Sequence, residues 1–257
     1  MEACILLLKR QTVKSNIILC TSTPDSFVSD MAAKYHIDVC VNPVSQGITA
    51  DWNFAYATAK TELVTLAYQD DIYEPEYTEV MLRFANQGKD PMTCFSEYYE
   101  IREGRWVDAS VHRNLRIKKL MLKPLCVTAL QGSTWVRRRI LSSGNPIGCP
   151  LVMYVKSQLP EVVFHDGFAS NVDWQTWEVL SRRHGRFAYV QQPFLGHRIH
   201  PEATTSKLIN AGGVRSAENF ASSGRRPFVG IICRFYVTSQ KGKPKDIKQL
   251  SFSNSGK

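Results

Sequence analysis

The sequence predicts an α/β protein: a mostly parallel central sheet flanked by helices, followed by a smaller mixed region. Three observations carry that expectation. Runs such as "SNIILC", "IDVCVN" and "ELVTLAY" are rich in β-branched and aliphatic residues and read as strands, "SNIILC" as one covered on both faces and "ELVTLAY" as another buried one. Between them lie "FVSDMAAKY", "QGITADWNFAYATAK" and "PEYTEVMLRFANQG", which carry apolar residues at helical spacing, and repeated strand–helix alternation builds a helix-wrapped parallel sheet. The chain has 257 residues and is 44% hydrophobic, enough to fold around a sizeable core.

In order, "EACILLLKRQ" reads as a short helix, "SNIILC" as a strand, "TSTPDS" as a turn and "FVSDMAAKY" as a helix. "IDVCVN" is the next strand. A glycine turn then leads into a helix with Thr49 as its N-cap and Trp52, Ala55, Tyr56 and Ala59 along one face. After the strand "ELVTLAY", a helix starts near Pro75 and stops at Gly88, with Tyr77, Val80, Met81 and Phe84 as its core stripe. "MTCFSEYYEIREGRWVDAS" reads as two strands around "REGR", and "NLRIKKLMLKPL" as a basic amphipathic segment. "NVDWQTWEVLSRRHG" is a helix with Trp174, Trp177 and Leu180 inward and Gly185 as its stop; "RFAYVQQPFLGHRIH" is a final strand and loop. The tail from about Ala211 is rich in glycine, serine and lysine apart from "RPFVGIICRFYV", and is expected to be disordered from "SQKGKPKD" onward.

The net charge of +9 favours anionic partners. DNA binding has no recognition motif behind it, and no nucleic-acid partner is expected. The seven cysteines form no CxxC pair, so they read as free core thiols in a reducing compartment, without a zinc site. No apolar run is long enough to span a bilayer, and "MEACILLLKR" is not a signal peptide.

Asp70 and Asp71 end a buried strand in "LAYQDDIYEPEY". Open parallel sheets bind ligands at the carboxyl ends of their strands. Two carboxylates there repel unless a cation or hydrogen-bond donors compensate. A divalent ion completed by substrate phosphates meets that need; the plainer alternative is that one aspartate caps the next helix.

Together "NPVSQGITADWNFAYATAKTELVTLAYQDDIYEPEY", "GNPIGCPLVMY", "NVDWQTWEVLSRRHGRFAYV" and "GHRIHPEATTS" resemble family 2 of the nucleotide-sugar-dependent glycosyltransferases, which have the GT-A fold. The resemblance covers roughly residues 1–210. It implies a nucleotide-sugar-binding half over residues 1–96, an acceptor-binding and catalytic half over 97–210, and an irregular basic tail over 211–257. It also implies that Asp70 and Asp71 hold Mg²⁺ or Mn²⁺ with the sugar diphosphate. The first aspartate of the family's DXD motif falls on Tyr68 here. His200, with His197 beside it in "GHRIH", is a further candidate ligand. Gly47, Asp51, Asn53 and Asp70 are implied at the nucleotide sugar, and Asp173, opening "DWQTW", as the catalytic base. From the residues alone Asp173 also fits a capping box with Ser170, Asp51 a favourable helix N-terminus and Gly47 a simple turn. Arg137, Arg138 and Arg139 are candidates for phosphate; Trp52, Trp174 and Trp177 read as core, and Glu178 as a solvated position.

The implied activity is inverting transfer of a sugar from a nucleotide diphosphate sugar to a hydroxyl of a glycan or lipid-linked glycan, in cell-surface polysaccharide or lipopolysaccharide assembly. The absence of QxxRW argues against a processive synthase. The expected location is cytoplasmic, with peripheral association at an anionic membrane through Arg116, Lys118, Lys119 and Lys123. The sequence begins inside the helix that should follow the family's first strand, which predicts a gap among buried strands or an exposed edge. The alternative reading is therefore a truncated, non-catalytic remnant that binds a nucleotide or partner. A nucleotidyltransferase would want a glycine- and lysine-rich phosphate loop near the start, and none is present.

Overall fold

The structure is a computed structural model. It describes residues 1–44, 47–165 and 171–199 with their side chains, and residues 229–235 as backbone. Its helices are α1 (Glu2–Lys9), α2 (Ser26–Tyr35), α3 (Ile48–Thr58), α4 (Tyr77–Asn86), α5 (Arg113–Leu122), α6 (Thr134–Leu141) and α7 (Val172–Ser181). Its strands are β1 (Asn16–Thr21), β2 (Asp38–Val41), β3 (Leu63–Tyr68), β4 (Ile72–Tyr73), β5 (Pro91–Arg102), β6 (Arg105–Val107), β7 (Val152–Val155), β8 (Arg186–Ile199) and β9 (Val229–Phe235).

The helices start where local chemistry satisfies their free N–H groups. The Asp25 side chain accepts from Val28 N at 2.8 Å and opens α2, and Ser133 does the same for α6. Two expected starts differ. α3 begins at Ile48 with Gly47 as its N-cap, so Thr49 lies inside the first turn, buried. α4 begins at Tyr77, past Pro75, because its cap comes from elsewhere: Gln11 Oε1 accepts from Thr78 N at 2.9 Å, while Gln11 Nε2 donates to Glu74 O at 2.7 Å. Glu103 and Gly104, at φ 50° and 77°, turn β5 into β6 as "REGR" predicts.

All nine strands form one sheet, ordered β2-β1-β9-β3-β7-β5-β8-β4, with β6 paired to β5. The α/β class is as expected, and β2, β1, β3, β5 and β8 run in one direction. The ladders are more mixed than a mostly parallel sheet would be, because β9 and β7 lie antiparallel between these strands; only β1–β2 and β5–β8 pair in parallel. β9 also fills the place where a gap was expected. It bonds β1 from Thr21↔Val229 to Asn16↔Arg234 and β3 from Tyr68↔Gly230 to Leu63↔Phe235. The physical reason is that β1 and β3 each need a neighbour for their inner backbone groups, and "VGIICRF" can pair on both sides.

One hydrophobic core covers both faces of the sheet, from Ile5, Leu19 and Val28 through Trp52, Val64 and Tyr77 to Trp177 and Phe187. Six cysteines are described, four of them buried, and all are free of disulfides. Among the described residues no helix is long and apolar enough to cross a membrane.

Candidate active site

The five co-directional strands end at one edge of the sheet, where the loops before α3 and after β3 emerge. Gly47 adopts φ +104°, and a Cβ there would meet nothing within 4 Å; backbone conformation rather than crowding calls for glycine. One turn into α3, buried Asp51 accepts from Asn42 Nδ2 at 2.8 Å and from Ser22 Oγ at 2.9 Å. Those donors follow β2 and β1, so Asp51 ties both strand ends to the helix. Asn53 donates to Phe164 O at 2.7 Å and accepts from the main-chain N–H groups of Val163 and Phe164.

Asp70 lies half-buried past the end of β3, and Asp71 is wholly buried. Asp71 Oδ1 accepts from Arg198 N at 3.1 Å and lies 2.9 Å from His197 Nδ1, while Oδ2 has no partner. Arg198 Nε donates to the main-chain oxygen of Asp70 at 3.0 Å. Burial pushes the Asp71 carboxyl up, with His197 pulling the other way. Burial also works against a charged His197, but the Asp71 carboxylate outweighs it and holds the ring's pKa above its ordinary value.

Asp173 is the second residue of α7 and keeps part of its surface open. Its Oδ2 accepts from Asn145 Nδ2 at 2.8 Å and its Oδ1 from Trp174 N at 2.9 Å. Surrounding protein desolvates the carboxyl and pushes it up, against the two hydrogen bonds and the charge of Lys118. Lys118, on α5, donates to Tyr98 Oη at 2.9 Å, and the Tyr98 ring lies edge-on to His197 at 6.2 Å. Asp173 also raises the Tyr68 and Tyr98 hydroxyls, beneath the larger effect of burial. Contacts thus run from Asp71 through His197 and Tyr98 to Lys118, and the Lys118 charge acts on Asp173. Irregular β5–β8 pairing around Glu97 accompanies this arrangement; such bulges re-aim side chains.

Residues 2–144 match the sequence model described as glycosyl transferase family 2, which is more than half of the chain. The chain belongs to that family. No curated protein sequence matches it. Asp51, Asp70 and Asp71 fall inside the matched residues of this glycosyltransferase and Asp173 beyond them.

His200 lies outside the described residues, as do Ser170 and the tail apart from β9. Among the described residues no group of three histidine, cysteine or acidic side chains is arranged to hold a metal ion. A divalent ion completed by diphosphate oxygens needs only one or two carboxylates. Half-buried Asp70 and the partnerless Asp71 Oδ2 fit that smaller demand.

Arg137 is buried and donates to Gly185 O and Arg183 O beyond α7, whereas Arg138 and Arg139 are exposed. Trp52 and Trp177 are core residues, and half-buried Trp174 donates to Leu141 O at 3.0 Å. Sequence reasoning missed Tyr98, Asn145 and the inward direction of Lys118. Lys118 stands among the bases expected to face a membrane, yet it lies three residues after Leu115 and four before Leu122, both buried on α5; that spacing is the available signal.

Proposed function

We propose that this glycosyltransferase moves a sugar, with inversion, from a nucleotide diphosphate donor to a hydroxyl of a glycan or lipid-linked glycan. The setting we infer is cell-surface polysaccharide or lipopolysaccharide assembly at the cytoplasmic face of a membrane. The observation that carries the reading is the run of contacts from Asp71 through His197 and Tyr98 to Lys118, whose charge acts on the desolvated carboxylate of Asp173. Residues 1–96 serve the donor in this reading, with Gly47 giving open backbone beside it and Asp51 and Asn53 fixing the surrounding loops. Residues 97–210 serve the acceptor.

Asp70 and Asp71 would hold Mg²⁺ or Mn²⁺ together with the diphosphate; that ion supplies positive charge for the leaving group. Asp173 takes the proton of the acceptor hydroxyl as its oxygen bonds the anomeric carbon. The bond from that carbon to the diphosphate breaks, and the nucleoside diphosphate leaves with the electron pair. A carboxyl raised by desolvation suits a base working near neutral pH.

The test is Asp173→Asn, which keeps shape but cannot take the proton. Transfer is expected to fall by about 10²–10⁴-fold with affinity for uridine diphosphate unchanged in Mn²⁺. Asp173→Ser controls for helix stability. Near-parental transfer by both variants, folded by circular dichroism, would remove Asp173 from the mechanism. Asp70→Asn is expected to weaken nucleotide binding in Mn²⁺; unchanged affinity would remove Asp70 from the donor site.

A further inference from the structure

From Ala109 to Pro160 the chain has no aspartate or glutamate but nine lysines and arginines. α5 lies in this stretch and has two distinct faces. Leu115 and Leu122 are buried and Lys118 reaches Tyr98, while Arg113, Arg116, Ile117, Leu120 and Lys123 are exposed at helical spacing. Leu120 is 66% exposed and Ile117 44%; Val111 before the helix is 77% exposed and Val127 after it 54%. In α6, Trp135 is 74% exposed and shares an outward stripe with Arg138 and Arg139. Scattered exposed aliphatics are ordinary on a protein surface. Here they recur within one acid-free stretch and alternate with bases.

We propose that the outward face of α5 and the turn after it dock on an anionic lipid bilayer. Ile117, Leu120 and Val127 enter the interface, and Arg113, Arg116 and Lys123 meet the headgroups. Charge complementarity selects an anionic partner, and the aliphatic side chains between the bases select lipid over nucleic acid. Non-specific nucleic-acid surfaces pair bases with aromatic platforms for stacking, whereas an interfacial helix pairs them with leucine-type side chains. The proposal deepens the functional reading above, on which its link to a lipid-linked acceptor rests. The inner face of the same helix supplies Lys118 to the Asp173 cluster, so docking would bring the acceptor side of the site to the lipid.

The test is sedimentation of the full chain with vesicles of phosphatidylcholine and phosphatidylglycerol, against phosphatidylcholine alone, at low and high salt. Binding to the anionic vesicles only, weakened by salt, is expected. Each of Arg113→Gln, Arg116→Gln and Lys123→Gln is expected to weaken binding about fivefold, the equivalent of ~1 kcal/mol per basic residue near an anionic surface. Ile117→Ser with Leu120→Ser is expected to reduce binding at high salt most, where charge is screened. All are exposed positions, though Arg116 also donates to the main-chain oxygens of Ala109 and Ser110, so Arg113→Gln and Lys123→Gln are the cleaner charge removals; circular dichroism confirms that each variant is folded. Absence of binding at low salt overturns the proposal, as does binding that neither set alters, or tighter binding to single-stranded RNA than to anionic vesicles. Affinity for uridine diphosphate in vesicle-free solution is read in parallel. Its loss with vesicle binding intact would count against the donor reading and leave the docking surface standing.

Discussion

Asp51 and Asp71 are buried aspartates near one edge of one sheet, and their oxygens are used differently. Each oxygen of Asp51 accepts a hydrogen bond from a neutral side chain of its own half, Asn42 or Ser22. Asp71 has one oxygen engaged by His197 and Arg198, which arrive from β8, and one oxygen with no partner. A fully satisfied polar group rigidifies the structure around it, whereas a partly satisfied one raises the energy of its site. The first pattern belongs to a carboxylate that holds the fold together. The second is what a site has when its remaining interaction is made by a ligand.

Substitution of the two aspartates separates these roles, through stability at one and transfer at the other. Asp51→Asn turns one acceptor oxygen into a donor facing Asn42 Nδ2 or Ser22 Oγ. It is expected to lower stability by about 1–3 kcal/mol while transfer by the remaining folded protein stays near parental. Asp71→Asn removes a desolvated charge, so the melting temperature is expected to stay close to parental, while transfer falls by more than the roughly 10–100-fold that loss of a support behind a metal ligand costs, because Asp71 is itself a ligand of the ion in the reading above. Thermal melts beside a transfer assay check both. The opposite pattern, stability lost at position 71 and transfer lost at position 51, would reverse the comparison.

Much of the first half of the chain was legible because its signals are local. "IILC" is apolar throughout and "LVTLA" is broken only by buried Thr65, and both lie in strands. The strand-end placement of Asp70 and Asp71 followed from the same runs. What escaped depends on distant pairings. β9 falls on "RPFVGIICRFYV", an apolar interruption of the tail with no sign of which strands it joins, and finds its partners on strands far earlier in the chain. The His197–Asp71 contact spans 126 positions. Tyr98 sits where β5–β8 pairing is irregular, and no simple alternation shows which way such a side chain points. Asp51 was read through its nearness to a helix start, yet its partners come from two strand ends. Only Lys118 had a local signal, and its charge drew attention away from its helical position.

A third carboxylate, Asp173, extends the comparison through pH. Burial pushes its carboxyl above the ordinary value of 3.8, and Lys118 pulls it back. A base must be ionised to act, so transfer is expected to rise with pH through this raised pKa, placing the acid limb of the rate profile above that of an ordinary aspartate. Lys118→Met removes the opposing charge and is expected to move the limb further up, while Lys118→Arg keeps it in place. The stability effect has the opposite sign. With its folded pKa raised, Asp173 lets the folded state hold a proton more readily than the unfolded chain. Its contribution therefore favours folding below the window and is lost as pH rises from 3.8 through the raised pKa. Asp173→Asn is expected to remove that part of the pH dependence from thermal melts. An acid limb that ignores the charge at position 118 would detach Lys118 from the base.

The smallest expected effect comes from a carboxylate on the same helix, and it sharpens the rest. Glu178 lies half-exposed on α7, and its Oε1 is 2.7 Å from Arg182 Nη2 one turn later. An exposed i,i+4 pair contributes about 0.3–0.5 kcal/mol, and solvent and salt screen it further. Glu178→Gln leaves helix propensity nearly unchanged and removes only that charge. Stability is expected to change within that small range and transfer not at all, so that two carboxylates little more than a turn apart would differ by orders of magnitude in their effect on the reaction. Desolvation is the reason: burial pushes the Asp173 carboxyl up, and its charge opposes ionisation of Tyr68, Tyr98 and Cys149, whereas Glu178 has a solvated arginine as its partner. A transfer assay with both single variants checks this. A loss at Glu178→Gln matching that at Asp173→Asn would mean that the helix responds to its total charge, and that position 173 holds no special place among its carboxylates.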